Sequence, residues 1–518
     1  MKLKWSLVLL LAITLALGGC AGKSSNGGSS SQGKQLIVSI PSDAGTLDPG
    51  VSMDNSAWKI TYPTYEKLVA YDGSKTTVKP SLAKSWEISD DGLTYTFHLE
   101  KGHKFSDGTP VDANAVKFSF ERTLKIAKGP SDLYSIIKNI TVVDDYTVKF
   151  ELKNNFPPFI STLAANYGGI VNPKIKEHEQ NGDLGQNYLA SHTMGSGPYE
   201  LSDYKKGQYY KLTVNKYSKV KPKIQTVYFQ ISTDVSGERL KLKKGEIDIA
   251  EGIPTDQIKE LENTEGITVV KQPSLLVDYV YMNIGKGNKA LKNKTFRQGL
   301  SEAIDYQSII NQTMQGFASE FRGPVPKGLW GHDPNAKMYT YNKEDAKKLI
   351  DQSGFAGTEL NLLYSDHLPY WEQLALAIQS NLKDVGVKVK LTKVAYATMR
   401  DKIDAGDFDL CLGVWSPDYG DPYMFMNYWF DSSNWGLAGN RSFYKNDQVD
   451  QLVRKAASIS DQNERAKLYK QAQDIINEDA VYIYLDQREF ALPMRSNVKG
   501  FVYNPMLEGI YNLAEMSK

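Results

Sequence analysis

The sequence predicts an α/β protein of more than one domain, and three observations carry that expectation. Residues 359–364, 370–385, 387–394, 398–405 and 408–414 read strand, helix, strand, helix, strand, a spacing that builds a largely parallel sheet. Leu93, Tyr95, Phe97 and Leu99 alternate with polar residues after the turn Asp90-Asp91-Gly92, and 140–143 with 147–152 repeat the pattern around Asp144-Asp145, so two hairpins are expected. With 518 residues, 41% of them hydrophobic, the chain can bury more than one core.

The elements follow in order. Lys2 and Lys4 precede an apolar run, 7–17, which is short for a bilayer span and shaped like a signal-peptide core. The run ends Leu17-Gly18-Gly19-Cys20, which resembles the bacterial lipobox and implies cleavage before a lipidated Cys20. Residues 1–19 are therefore expected to be a leader and 20–33, rich in Gly and Ser, a flexible tether to the membrane. A first strand is expected at 35–40, then a turn-rich loop, 43–49, leading to Trp58. Past the first hairpin, Asp112 reads as the N-cap of a helix over 115–124 with Val116, Phe120 and Leu124 inward. Two long helices are expected at 447–458 and 461–479, and a last strand at 481–487 before a tail of turns.

Composition excludes several functions. Lys and Arg number 61 against 60 Asp and Glu, a net charge of +1, and no long basic block occurs, so nucleic acid is not an expected partner. Apart from Cys20 the one cysteine is Cys411, inside a predicted strand, where a buried, inert thiol is expected. None of the 6 histidines pairs at metal-ligand spacing, and neither CxxC nor GxSxG occurs. Neither a metal nor a cofactor is expected, and a secreted hydrolase stands only as the alternative from another class. The 31 tyrosines suit surfaces that are both apolar and hydrogen-bonding.

The stretch 414–430, VWSPDYGDPYMFMNYWF, changes character after the strand at 408–414. Seven aromatic residues crowd around Asp418 and Asp421, and Pro417 and Pro422 stop the strand. α/β proteins place ligands just past the carboxyl ends of their strands. Read locally, a core loop with two turn-forming aspartates is the better account; the rest of the chain shifts the balance.

Residues 81–122, SLAKSWEISDDGLTYTFHLEKGHKFSDGTPVDANAVKFSFER, resemble the signature region of the family 5 extracellular solute-binding proteins, the peptide/nickel group serving ABC importers. The loop at 43–49, the GSGPY turn at 195–199, KGEIDI at 244–249 and the stretch 281–304 resemble that family's other landmarks, in family order. The resemblance implies a two-lobed periplasmic-binding-protein type II (cluster C) fold with a small extra α+β domain. Its crossing segments are expected near Tyr279 and Asp486. Lobe I is expected at 34–76, 195–278 and 487–518, the extra domain at 77–194 and lobe II at 279–486. It implies a monomeric binding subunit that captures di- or oligopeptides outside the cytoplasmic membrane, or in the periplasm, and delivers them to ABC permease subunits. An oligosaccharide or another solute is the alternative ligand, with nickel less expected.

In peptide-binding members an acid three residues after the strand's tryptophan accepts the ligand's α-ammonium, and Trp415-Ser416-Pro417-Asp418 keeps that spacing. The peptide backbone is held as an added strand against Val414, Trp415 and Ser416, which tolerates varied side chains. Tyr396 and Tyr134 match ligand-lining aromatic positions, with an ordinary core role an equal alternative for each, and Tyr419 completes the candidate set. Leu412 departs from members that place an arginine there for the ligand's carboxylate; Arg322, Lys327 and Arg441 are the candidates to replace it.

Overall fold

The computed structural model describes residues 35–368, 370–437 and 439–518. The leader, Cys20 and the tether lie outside the described residues. The predicted parallel unit is present as Glu359–Ser365, Trp371–Asp384, Lys388–Val394, Tyr396–Ala405 and Leu410–Trp415. Glu359–Ser365 runs parallel to both Lys388–Val394 and Leu410–Trp415, so Ser365, Val394 and Trp415 end along the same edge.

This unit belongs to a sheet of 11 strands that continues through the molecule. Two long antiparallel strands hold its halves together. Ile267–Met282 and Tyr482–Arg495 pair from Ile267↔Arg495 to Tyr281↔Tyr482, with register shifts between Pro273 and Val277 and between Asp278 and Tyr279. On one side of them lies the parallel unit; on the other Gln35–Ile40 pairs in parallel with Thr226–Ile231 and with Ile249–Ala250. The last strand is therefore twice the expected length. Asp486 to Glu489 read as a polar ending, yet pairing on both sides keeps the backbone extended: Ala318 and Ser319 bridge Arg488 and Gln487.

The two expected hairpins form one antiparallel sheet of 4 strands, Ala83–Ile88, Thr94–Leu99, Thr147–Leu152 and Ile137–Asp144. Tyr95, Phe97, Leu99, Val148, Phe150 and Leu152 bury their faces, as the alternation requires. The helix Ala113–Ile126 covers them, with the Asp112 carboxylate accepting from the Ala115 N–H at 2.8 Å. Val116 and Phe120 are buried and Leu124 is half-buried.

The sequence landmarks have structural reasons. Asp48 is wholly buried and receives Arg122 Nη1 at 2.8 Å and Nη2 at 2.5 Å, tying the early loop to the helix. A Cβ at Gly195 would sit 2.1 Å from the Thr64 carbonyl oxygen, and one at Gly197 2.4 Å from that of Pro63. The GSGPY turn needs both glycines for that backbone approach. Trp58 lies in a helix, Asn55–Thr64, that the reading of a loop before it left out. Tyr423–Phe430, expected as irregular chain, is also a helix. Its residues are apolar nearly all round, so no periodic stripe marked it. Cys411 is fully buried, and burial pushes its thiol well up, as expected of an inert core cysteine.

Candidate functional site

The strand Leu410–Trp415 pairs with Ile267–Met282 along its whole length, from Met282↔Leu410 to Val277↔Trp415. On its other side pairing with Glu359–Ser365 stops at Leu363↔Cys411. From Leu412 onward that edge has no strand paired to it among the described residues. Val414 and Trp415 are half-buried and Ser416 is exposed. A backbone edge of this kind can accept an extended ligand strand.

The turn that follows is held rigidly. Tyr167 Oη donates to the Asp418 carbonyl at 3.1 Å, the Gly420 N–H donates to Tyr71 Oη at 3.3 Å, and Trp330 Nε1 donates to the Gly420 carbonyl at 3.1 Å. These anchors are 251, 349 and 90 residues away in sequence. The turn thus sits where the first two hundred residues meet the parallel unit. A Cβ at Gly420 would lie 2.6 Å from the Thr76 carbonyl oxygen, so this approach requires glycine.

With its backbone fixed, Asp418 projects a carboxylate that meets no hydrogen-bond donor and no cation among the described residues. It is exposed, yet burial by its surroundings raises its pKa above the ordinary aspartate value. Being reachable and being well hydrated are different properties: the residue is open at its surface, while surrounding protein displaces the outer water that would stabilise its charge. Tyr428, 36% exposed, stands beside it; burial raises its phenol, and the charges of Asp418 and Asp132 raise it further. The Tyr428 ring stacks at 6.3 Å on Trp415, which also packs on Phe425 and Trp429.

The other expected residues divide. Tyr396, at the start of its helix past the end of Lys388–Val394, is 40% exposed and stacks on His367 at 4.4 Å. Tyr419 and Tyr134 are instead 2% and 1% exposed. Tyr419 packs edge-on against Phe156, and Tyr134 donates to the Thr162 carbonyl and packs against Tyr167. Both take the core role, and Tyr134 supports the tyrosine that pins Asp418. Asp421, 2% exposed, is instead held in a two-pronged ion pair with Arg465 at 2.8 and 2.7 Å.

Among the candidates to meet a ligand carboxylate, Arg441 is already engaged, donating to Tyr281 Oη at 2.6 Å. Lys327 is exposed and its backbone is held by Gln487. Arg322 lines a recess with Lys337 and Tyr339. No sequence pattern marked Arg488, which lines a crevice with Thr255, Thr313, Gln315, Tyr370 and Gln373 where the halves join. Nor did any pattern mark Trp58, whose buried Nε1–H has no partner among the described residues and whose ring lies 6.3 Å from Tyr167.

A sheet shared by two halves, an added small antiparallel domain, and a pinned turn at the ends of parallel strands define a two-lobed periplasmic-binding-type α/β protein of cluster C. The structure of HbpA2 from Haemophilus parasuis matches with a TM-score of 0.86 at 28% identity, covering 93% of this chain and 99% of that one. The chain belongs to the bacterial extracellular solute-binding proteins, family 5, whose model matches residues 77–437. It is 45% identical over 489 residues to the probable D,D-dipeptide-binding periplasmic protein DdpA of Escherichia coli K12, covering 93% of this chain and 94% of the relative. The Helicobacter pylori periplasmic binding protein DppA, in complex with the peptide STSA, matches with a TM-score of 0.72 at 29% identity, covering 92% and 98%. The resemblance read from the sequence and the fold it implied are thereby borne out.

Proposed function

We propose that this protein is the substrate-binding subunit of an ABC importer and that its ligands are short peptides with a free amino terminus. The observation that carries the reading is the Asp418 carboxylate: partly desolvated, unpaired among the described residues, and held beside an open strand edge. A cation-bearing ligand end repairs that unfavourable state through charge-assisted hydrogen bonds, each contributing about 1.5–3 kcal/mol. Backbone pairing along Val414 to Ser416 would hold the peptide without reading its side chains, and Trp415, Tyr428 and Tyr396 would flank it. Proteins similar to this chain are named for peptides, the one at 45% identity for D,D-dipeptides, which supports the same class. No bond is broken in this reading. The lobes close over the ligand and the closed form docks on the permease.

The lobe and extra-domain boundaries given above, a monomeric state, and anchoring through a lipidated Cys20 on the tether 20–33 complete the proposal. Isothermal titration with dialanine in its L,L and D,D forms, each with and without an acetylated amine, tests it. Binding of a free-amine form that acetylation abolishes is the expected result. Indifference to acetylation, or tight binding of a neutral oligosaccharide alone, removes the peptide assignment.

A further inference from the structure

The two long strands meet at a pair of carboxyls that the binding scheme does not use. Asp278 and Asp486 are direct cross-strand partners, and both are wholly buried. They lie at the register irregularities where the sheet passes from one half to the other. Asp278 is well satisfied: Arg488 Nε donates to one oxygen at 2.6 Å and Tyr370 Oη to the other at 3.0 Å. The same guanidinium stacks on Tyr370, 4.0 Å from the ring centroid. Asp486 is not satisfied. Neither of its oxygens has a partner among the described residues, and Arg488 Nη2, buried beside it, has none either.

The charged and titratable groups that face the pair are few. Arg488 comes from the same strand as Asp486 and Tyr370 from the start of the helix Trp371–Asp384. Glu508, from the C-terminal segment, feels Arg488 and Lys59; burial pushes it up to about 7. Lys59 is bridged to Glu251 at 3.3 Å. Two carboxyls therefore share one guanidinium, and among the described residues that guanidinium hydrogen-bonds to Asp278 alone.

We propose that Asp278 and Asp486 hold a single proton at neutral pH, carried on Asp486, so that the joint between the halves is a neutral carboxyl beside a carboxylate–guanidinium pair and loosens when alkaline pH removes the proton. A second ionised carboxylate here would be both dry and opposite a like charge. Burial first, and then the charge of Asp278, push Asp486 well above the usual carboxylate range. An acid raised on folding leaves stability complete below its unfolded value and erodes it as pH climbs toward the folded one. The strands that carry this pair are the ones that join the halves, so the erosion falls on the joint.

The test compares full-length wild type with Asp486→Asn and Asp278→Asn, by infrared absorption of protonated carboxyls and by thermal melts between roughly pH 5 and pH 9. Wild type is expected to show a protonated-carboxyl band at neutral pH that Asp486→Asn diminishes, leaving the share that Glu508 contributes. The Tm of Asp486→Asn should climb relative to wild type as pH rises. Asp278→Asn strips Arg488 of its partner and should be less stable throughout. A band that survives Asp486→Asn unchanged, or a Tm gap that does not move with pH, overturns the proposal. Should Asp486→Asn fail to fold, wild type labelled with carbon-13 aspartate decides: an aspartic acid band persisting at neutral pH supports the shared proton, and its absence refutes it.

Discussion

Asp421 lies 2.7 and 2.8 Å from two nitrogens of Arg465 with 3% of its side chain exposed, whereas Asp418, on the same turn, is exposed and meets no donor among the described residues. The difference follows from where the turn faces. Past Gly420 the chain enters a helix packed under Asp447–Ala456 and Gln462–Glu478, and any charge carried inward must bring its counter-charge. Before Gly420 the chain leaves Asp418 exposed, where a charge needs no built-in partner. One carboxylate is structural because its partner is built in; the other is available because its partner is not.

Substitutions can break or sharpen this contrast. The largest effect should come from Asp421→Ala, which leaves the Arg465 guanidinium buried and unpaired. We expect a loss of about 3–5 kcal/mol, read as a fall in the unfolding midpoint. Next comes Asp418→Ala, expected to change stability by less than about 0.5 kcal/mol while weakening free-amine dipeptides by about 10- to 100-fold in titration calorimetry. If instead Asp418→Ala unfolded the protein and Asp421→Ala did not, the contrast would be reversed.

A smaller, graded effect is expected from pH. Binding an ammonium requires ionised Asp418, and burial raises its pKa, so affinity should begin to fall at a higher pH on acidification than an ordinary aspartate would dictate. The same raised value means that the empty protein is not stabilised by this charge. Asp418→Asn should therefore bind weakly at every pH, with stability equal to wild type or slightly higher at neutral pH. The smallest effect is expected from Tyr396→Ala. It should alter preference among dipeptide side chains by less than about tenfold, with no change in melting, because the ring is 40% exposed and touched only by His367 and Arg400 among the described aromatic and cationic groups.

Much of the scaffold was legible because local rules and tertiary demands agree there. The Asp112 cap, the alternating strands of the small domain and the parallel unit at 359–415 each obey a short-range pattern. Two elements escaped for identifiable reasons. The helix Tyr423–Phe430 is apolar nearly all round, and the return strand contains Asp486, Gln487, Arg488 and Glu489, a polar run that elsewhere ends a strand. Within the site, Tyr396 and Tyr134 carried equal expectations and separated only on folding. One opens outward at a helix start, while the other packs behind Tyr167.

By itself, the sequence determined the α/β class, the order of the elements, the family landmarks and the spacing that puts an acid three residues after Trp415, since all of these are properties of neighbours along the chain. Which tyrosines are buried, which aspartate keeps an open face, and the burial of Asp278 against Asp486 were decided only by the tertiary structure. The physical reason is that a carboxylate's state depends on whether a cation, a donor or water stands beside it. Here those partners arrive from segments tens to hundreds of residues away.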